Sequence, residues 1–273
     1  MIKVLSSPHN HTRYVDGKNS APEMAEAACR AGFVSFGFSE HGPQAFDREY
    51  GLNAEAAYRA EIDALKGTYA GRMKIWLGVE RDSYADFDRS LYEYTIGSTH
   101  YLPLGDGHIA VDSTPENLEK LIREGYGGDP YRMARDYFER HADFLTAFRP
   151  DIIGHFDLVK KMNQRCGFFD ESDRRYTGPA LAALERAASC GALLEVNTGA
   201  IARGWRDDPY PSLPLLKRWR ELGGRAIISS DCHDARAIDC SFDLCVGMLL
   251  AAGFAEAWRL GTGDALFEPF PLA

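Results

Sequence analysis

Short apolar runs alternate along this chain with longer stretches whose apolar positions recur at helical spacing. The runs are VLSSP (4–8), VSFGFS (34–39), KIWLGV (74–79), YTIGST (94–99), DIIG (151–154), LLEV (193–196) and AIISS (226–230). Runs this short, rich in β-branched and aromatic residues, read as buried strands. Between them, 21–32 reads as a helix ending at Gly32, and 53–70 as a helix with Asn53 as N-cap. The stretch 114–125 opens on Thr114-Pro115-Glu116 and stops at Gly125, and 130–148, 177–190, 212–222 and 242–252 complete the helices. Strand alternating with helix predicts a parallel sheet. There is no linker, repeat or low-complexity tract, so one domain is expected over 1–273. The segment 101–131 is long for a connection, and its glycine-rich GYGGDPY (125–131) suits either a flap or a plain surface excursion.

The chemical content of the chain lies just past each run. His9 and His11 come after the first, Glu40 and His41 after the second, Glu80 after the third and His100 after the fourth. His155 and Asp157 come after the fifth, Asn197 after the sixth, and Asp231 and His233 after the seventh. Six of the eight histidines thus sit at strand ends. Imidazole and carboxylate are ligands of zinc, manganese and iron. In barrels of alternating strands and helices the strand C-termini converge on one mouth. An open sheet would spread seven such ends too far apart, so a closed or nearly closed barrel with a polynuclear metal site at its mouth is expected. Residues i and i+2 of a strand share a face, so His9-Asn10-His11 and Asp231-Cys232-His233 can each chelate, with Cys232 turned away. Taken singly, each group has an ordinary alternative: Asp16 as a turn-former beside Gly17, His41 as a hydrogen-bonded loop residue. Glu80 ends an apolar run, where a carboxylate is costly unless it is paired or metal-bound. His108 and His141 are set aside as structural or solvated.

The net charge of −9 argues against a long nucleic acid as partner, which calls for a basic face. It leaves a small anionic substrate open, since bound cations would dominate the local field. No apolar run approaches a membrane span, and MIKVLSSPHNH has no signal-peptide core. The six cysteines show no CxxC pair or framework spacing, which suits reduced thiols and a cytoplasmic location.

HxH with a downstream Asp, SEH, Gly78-Val79-Glu80, GSTH, GHFD and SSDCHD, in that order, resemble the PHP (polymerase and histidinol phosphatase) family. LEVNTGAIARGW and PYPS resemble its histidinol-phosphate phosphatase branch. The resemblance runs from residue 9 to about residue 235. It implies a distorted (β/α)7 barrel holding two or three divalent transition-metal ions. By motif, His9, His11, Glu80 and Asp231 would bind the first ion. Glu80 would bridge to a second shared with His100 and His155, and Asp16, His41 and His233 would hold the third. The loop position of Asp16 varies in residue type and spacing within the family, so the third site would be weaker or completed by water without it.

The reaction so implied is hydrolysis of L-histidinol phosphate, a small phosphorylated partner, by in-line attack of a metal-activated water on the phosphorus. Phosphoryl oxygens call for an arginine's planar fork. Arg203 is the first candidate, in the loop after Asn197, which is itself expected to bind substrate, with Arg81 and Lys160 behind them. The proton for the leaving alkoxide would come from Asp157, His233 or a bound water. Two other readings stand beside this one, a PHP phosphodiesterase or nuclease and a non-catalytic metal-binding protein. An amidohydrolase would need a metal-bridging lysine at a strand end, and Lys160 and Lys161 lie several residues past theirs.

Overall fold

The computed structural model describes residues 5–272, so Val4 and the start of MIKVLSSPHNH lie outside the described residues. The strands are β1 (Ser6–Ser7), β2 (Ser35–Phe38), β3 (Lys74–Asp82), β4 (Tyr94–Ser98), β5 (Tyr101–Leu104) and β6 (Gly107–Ala110). They continue as β7 (Ile152–Ile153), β8 (Leu193–Asn197), β9 (Arg225–Ser229), β10 (Glu256–Leu260) and β11 (Phe267–Pro271). The main sheet runs β1-β2-β3-β4-β7-β8-β9-β10-β11, parallel throughout except for the antiparallel pair β10–β11. All seven expected strands are present. Their continuous apolar runs reflect burial on both faces, on the barrel interior and beneath the helices.

The ring closes at one end and is wedged apart at the other. At the C-terminal mouth the His11 N–H donates to the Cys232 carbonyl (2.9 Å) and the Cys232 N–H to that of His9 (3.3 Å), joining the exits of β1 and β9. At the opposite end β9 pairs with β10 through Ile227 and Trp258. The β10 terminus reaches under the barrel, where the Leu260 and Gly261 carbonyls accept from Ser35 Oγ (2.7 Å) and Trp76 Nε1 (2.9 Å). This makes the fold a distorted (β/α)7 barrel, plugged by a hairpin that the sequence pattern did not reveal. Among the described residues no helix is long and apolar enough to cross a membrane.

The helices follow their end signals with small shifts. Ala21–Ala31 has a full capping box between Ser20 and Glu23 and stops at Gly32, whose φ of +87° only glycine adopts freely. Asn53 is not an N-cap. Its amide donates to the Arg48 and Gly51 carbonyls, and the helix begins at Glu55. Thr114 caps Pro115–Lys120, which runs on as one wider turn to Gly125. GYGGDPY is no flap over the site. Gly127 and Gly128, both at positive φ, form the corner into Pro130–Phe148. The overhanging element in this segment is the β5–β6 hairpin, and its His108 lines the cleft.

Candidate metal centre

Strand alternation aims the ligands. Glu80 and Asp82, two apart at the end of β3, both turn inward and are buried, as are His9 and His11 beyond β1. Glu80 is the hub. Within 4 Å of its carboxylate lie His41 Nδ1 (2.9 Å), His155 Nε2 (3.0 Å), His9 Nε2 (3.2 Å), His100 Nε2 (3.5 Å) and His11 Nε2 (3.7 Å). Asp231 Oδ1 stands 3.4 Å from His11 Nε2, and Asp16 Oδ2 3.0 Å from His233 Nε2 and 3.7 Å from His41 Nε2. All nine expected ligands fall into four overlapping sets whose donor atoms lie within 4.8 Å of one another. These are His9-Glu80-His155, His9-His11-Asp231, His41-Glu80-His100 and His11-Asp16-His41-His233. His11 therefore also belongs geometrically with Asp16, His41 and His233, beyond the expected division.

The donor set fits metal ions by a test independent of any family. Buried polar atoms are normally hydrogen-bonded. Here His9 Nε2, both ring nitrogens of His11, Asp16 Oδ1 and Glu80 Oε2 are buried and crowd one another, yet none is in a well-aligned hydrogen bond. Burial, reinforced by His233 and His41, lowers the His11 pKa to about 3, so its lone pair is free at neutral pH. Burial works against the charge on Glu80, but His9, His100 and His41 outweigh it and hold the carboxyl well below the usual range. Asp231 is held down likewise, against burial, by Arg203 first and then His9.

A second layer orients the rings, and the sequence reading missed it. Glu195 accepts from His9 Nδ1 at 2.7 Å and from the His155 N–H at 2.6 Å, which leaves His9 Nε2 facing the cluster. Asp82 does the same for His100, taking its N–H at 2.7 Å and lying 3.2 Å from Nδ1. Carboxylates of this kind fix the tautomer and raise the basicity of a ligating imidazole. The available signal was periodicity: Glu195 is two before Asn197 and Asp82 two after Glu80, on the same inward faces. Glu40, noted at the end of the second run but given no role there, is buried. Its pKa is pushed up to about 8 by burial, against hydrogen bonds from Thr12, and its Oε2 lies 3.9 Å from His11 Nδ1.

The cluster forms the floor of a cleft of about 540 Å³. Arg203 enters from the loop after β8. Its Nη2 donates to Asp231 Oδ2 at 3.0 Å and its Nη1 lies 2.9 Å from His233 Nδ1. Gly199 permits this pair, since a Cβ there would come within 2.5 Å of Asp231 Oδ2 and 2.7 Å of Arg203 Nη2. Asp231 itself sits at φ +46°, a conformation Asp tolerates better than most residues.

Four other expected site residues lie elsewhere. Arg81, next to Glu80 on the strand, points by alternation to the outer face, where it stacks 4.1 Å from the Phe148 ring centroid. Lys160 is buried 3.0 Å from Asp157 Oδ2 and 3.4 Å from Asp208, so it neutralises those carboxylates and does not reach the cleft. Asp157 is fully buried, meets Lys160 and the Ser212 N–H through Oδ2, and lies away from the cleft where a leaving group would stand. Asn197 spans Glu195 and the Gly199 N–H, behind the site. Lys161, one residue on from Lys160, lines the cleft, paired to Asp112 at 2.8 Å. Of the two histidines set aside, His141 is buried against Thr99 (3.0 Å), whereas His108 is on the cleft wall.

The PHP domain model matches residues 7–199. This chain belongs to the PHP family. A Schizosaccharomyces pombe protein named "Probable histidinol-phosphatase" is 26% identical over 289 residues, spanning 96% of this chain and 90% of its own length. A Deinococcus radiodurans protein of the same name is 30% identical over 254 residues, spanning 87% and 90%. The fold is shared with the crystal structure of histidinol phosphate phosphatase from Lactococcus lactis, complexed with zinc, L-histidinol and phosphate. That match has a TM-score of 0.70 and 23% identity, and covers 94% of this chain and 96% of the other.

Proposed function

We propose that this PHP protein is a phosphate monoester hydrolase dependent on two or three divalent transition-metal ions. Its substrate is L-histidinol phosphate, cleaved to L-histidinol and phosphate in the cytoplasm as a step of histidine biosynthesis. One barrel domain over 1–273 carries the activity. The observation that most supports hydrolysis is the set of orphaned, buried donor atoms around the single carboxylate of Glu80. The substrate rests on relatives over most of the chain that bear the histidinol-phosphatase name.

His9, His11, Glu80 and Asp231 would hold one ion, Glu80 with His100 and His155 a second, and Asp16, His41 and His233 a third, with His11 adjoining that last group. Ions in these positions supply a water of lowered pKa and offset the charge of the phosphoryl oxygens. Glu195 and Asp82 keep the Nε2 atoms of His9 and His100 turned toward Glu80. Arg203 is already oriented by Asp231, so its remaining N–H donors are presented to phosphoryl oxygens with little further ordering. With His233 in the third ligand set and its Nδ1 facing Arg203, the proton for the leaving alkoxide would come from a bound water.

Phosphate release from metal-replete protein tests this reading with L-histidinol phosphate, mononucleotides and 4-nitrophenyl phosphate. The expected result is a kcat/KM for L-histidinol phosphate at least about tenfold above the others, a gap of ~1.4 kcal/mol. Preference for a mononucleotide would reassign the substrate, and no release from any ester would remove the enzyme reading.

A further inference from the structure

The cleft wall facing Arg203 carries a second set of groups that the metal cluster does not use. With β1 and β9 joined at the mouth, β8 lies three strands from β2 one way round and three from β3 the other, which sets it across from them. The loop after β8 brings Arg203, and the loop after β2 brings Gln44 and Asp47. Gln44 is only 6% exposed and lines the cleft, yet its Oε1 is buried without a hydrogen-bond partner. Leaving a buried amide oxygen unpaired is costly, so such an atom at a cleft wall is a site for an incoming donor. Beside it, the Asp47 carboxylate accepts from Tyr101 Oη (2.8 Å) and the Tyr50 N–H (3.3 Å), both neutral donors that leave its charge unbalanced.

The loop is fixed in place. Phe46 stacks on His108 with centroids 4.5 Å apart and meets Tyr101 edge-on at 5.0 Å, which ties the loop to the β5–β6 hairpin. An acceptor and an unbalanced carboxylate therefore stand preformed across the cleft from a fixed guanidinium.

We propose that Gln44 and Asp47 form a recognition subsite for an N–H-bearing, cationic nitrogen on the organic part of the substrate. The enzyme then reads its ester at two ends, phosphate at Arg203 and cation at the β2 loop, and disfavours neutral or anionic leaving groups. This rests on the phosphatase reading above, and the test separates the two.

Gln44→Leu and Asp47→Asn are compared with the parent protein on L-histidinol phosphate and 4-nitrophenyl phosphate, and L-histidinol binding is measured by calorimetry. Loss of a charge-assisted hydrogen bond predicts that the ratio of kcat/KM values, histidinol ester over aryl ester, drops roughly tenfold in each variant, with L-histidinol binding weakened to match. The Gln44 side chain makes no hydrogen bond of its own, so its variant guards against a folding defect at Asp47. An unchanged ratio, whether both rates hold or both fall together, overturns the subsite. If the parent protein hydrolyses neither ester, the phosphatase reading fails. The subsite then stands or falls on whether the two variants weaken L-histidinol binding.

Discussion

The two ends of the barrel are built on opposite terms. At the plugged end, Trp76, Tyr94, Ile96, Ile152, Leu193, Ile227 and Leu260 form a separate apolar cluster, and the Trp76 indole and Ser35 hydroxyl there both have partners. At the mouth, six imidazoles and three carboxylates crowd together, and several of their buried atoms have none. The plug is complete as folded, whereas the mouth is completed only by what it binds. Stability and chemistry are thus separated along the barrel axis, and each end should respond to a different perturbation.

Metal removal should have the largest effect and act at the mouth alone. Chelation is expected to abolish phosphate release, because without ions no side chain at the mouth lowers the pKa of water enough for attack. It should also lower the melting temperature, since a ligand at 100 times its Kd stabilises by ~2.7 kcal/mol per site. Elemental analysis should find more than one equivalent of transition metal in the replete protein. A melting temperature and turnover indifferent to chelation would erase the contrast between the ends.

Next in size is the reverse experiment. Leu260→Ala empties part of the plug and should cost about 2–5 kcal/mol of stability by denaturant unfolding, the range for buried leucine truncations. Metal content and kcat/KM of the folded fraction should stay at parent values. A loss of metal in this variant would show that the two ends are coupled.

Arg203→Ala comes third. Losing a charge-assisted pair to a phosphoryl oxygen is worth roughly 1.5–3 kcal/mol, or about 10- to 150-fold in kcat/KM on L-histidinol phosphate. Arg203→Lys should recover only part, since an ammonium cannot donate in parallel to two oxygens. An alanine variant within twofold of the parent would pass the phosphate role to Lys161, the other cation on the cleft wall.

The mouth was far more legible in the sequence than the plug, for a physical reason. Ligands must be particular residue types at strand ends, so His9, His11, Glu80, His100, His155, Asp231 and His233 stand out against the runs that precede them. A plug needs only to be apolar, and EAWRL (256–260) and FEPFP (267–271) carry too little regular pattern to stand out as strands. Asp82 and Glu195 were hidden differently. Glu195 sits inside its strand and Asp82 beyond the apolar run of its own, and only counting by two from Asn197 and Glu80 exposes them. Asp157 and Lys160 misled because the chain turns after His155 in a short helical segment (Leu158–Lys160), which breaks the alternation that placed the others.

The smallest expected effect tests that alternation directly. Arg81 is adjacent in sequence to the hub carboxylate, and sequence proximity alone makes it a phosphate ligand. The pleat sends it to the outer face instead, where its Nε donates to the Ala85 carbonyl at 3.0 Å and its guanidinium packs over Phe148. Burial lowers its pKa against nearby Asp86 and Asp82, consistent with a partly covered surface cation. Arg81→Met keeps most of the stem that packs on the rings and deletes the charge. It should leave kcat/KM within twofold, and stability should fall by no more than ~0.5–1 kcal/mol, the scale of an exposed cation–π contact. A loss of tenfold or more in kcat/KM at unchanged stability would mean that the outer face feeds the site, and the rule that sorted every β3 side chain here would fail at its most consequential position.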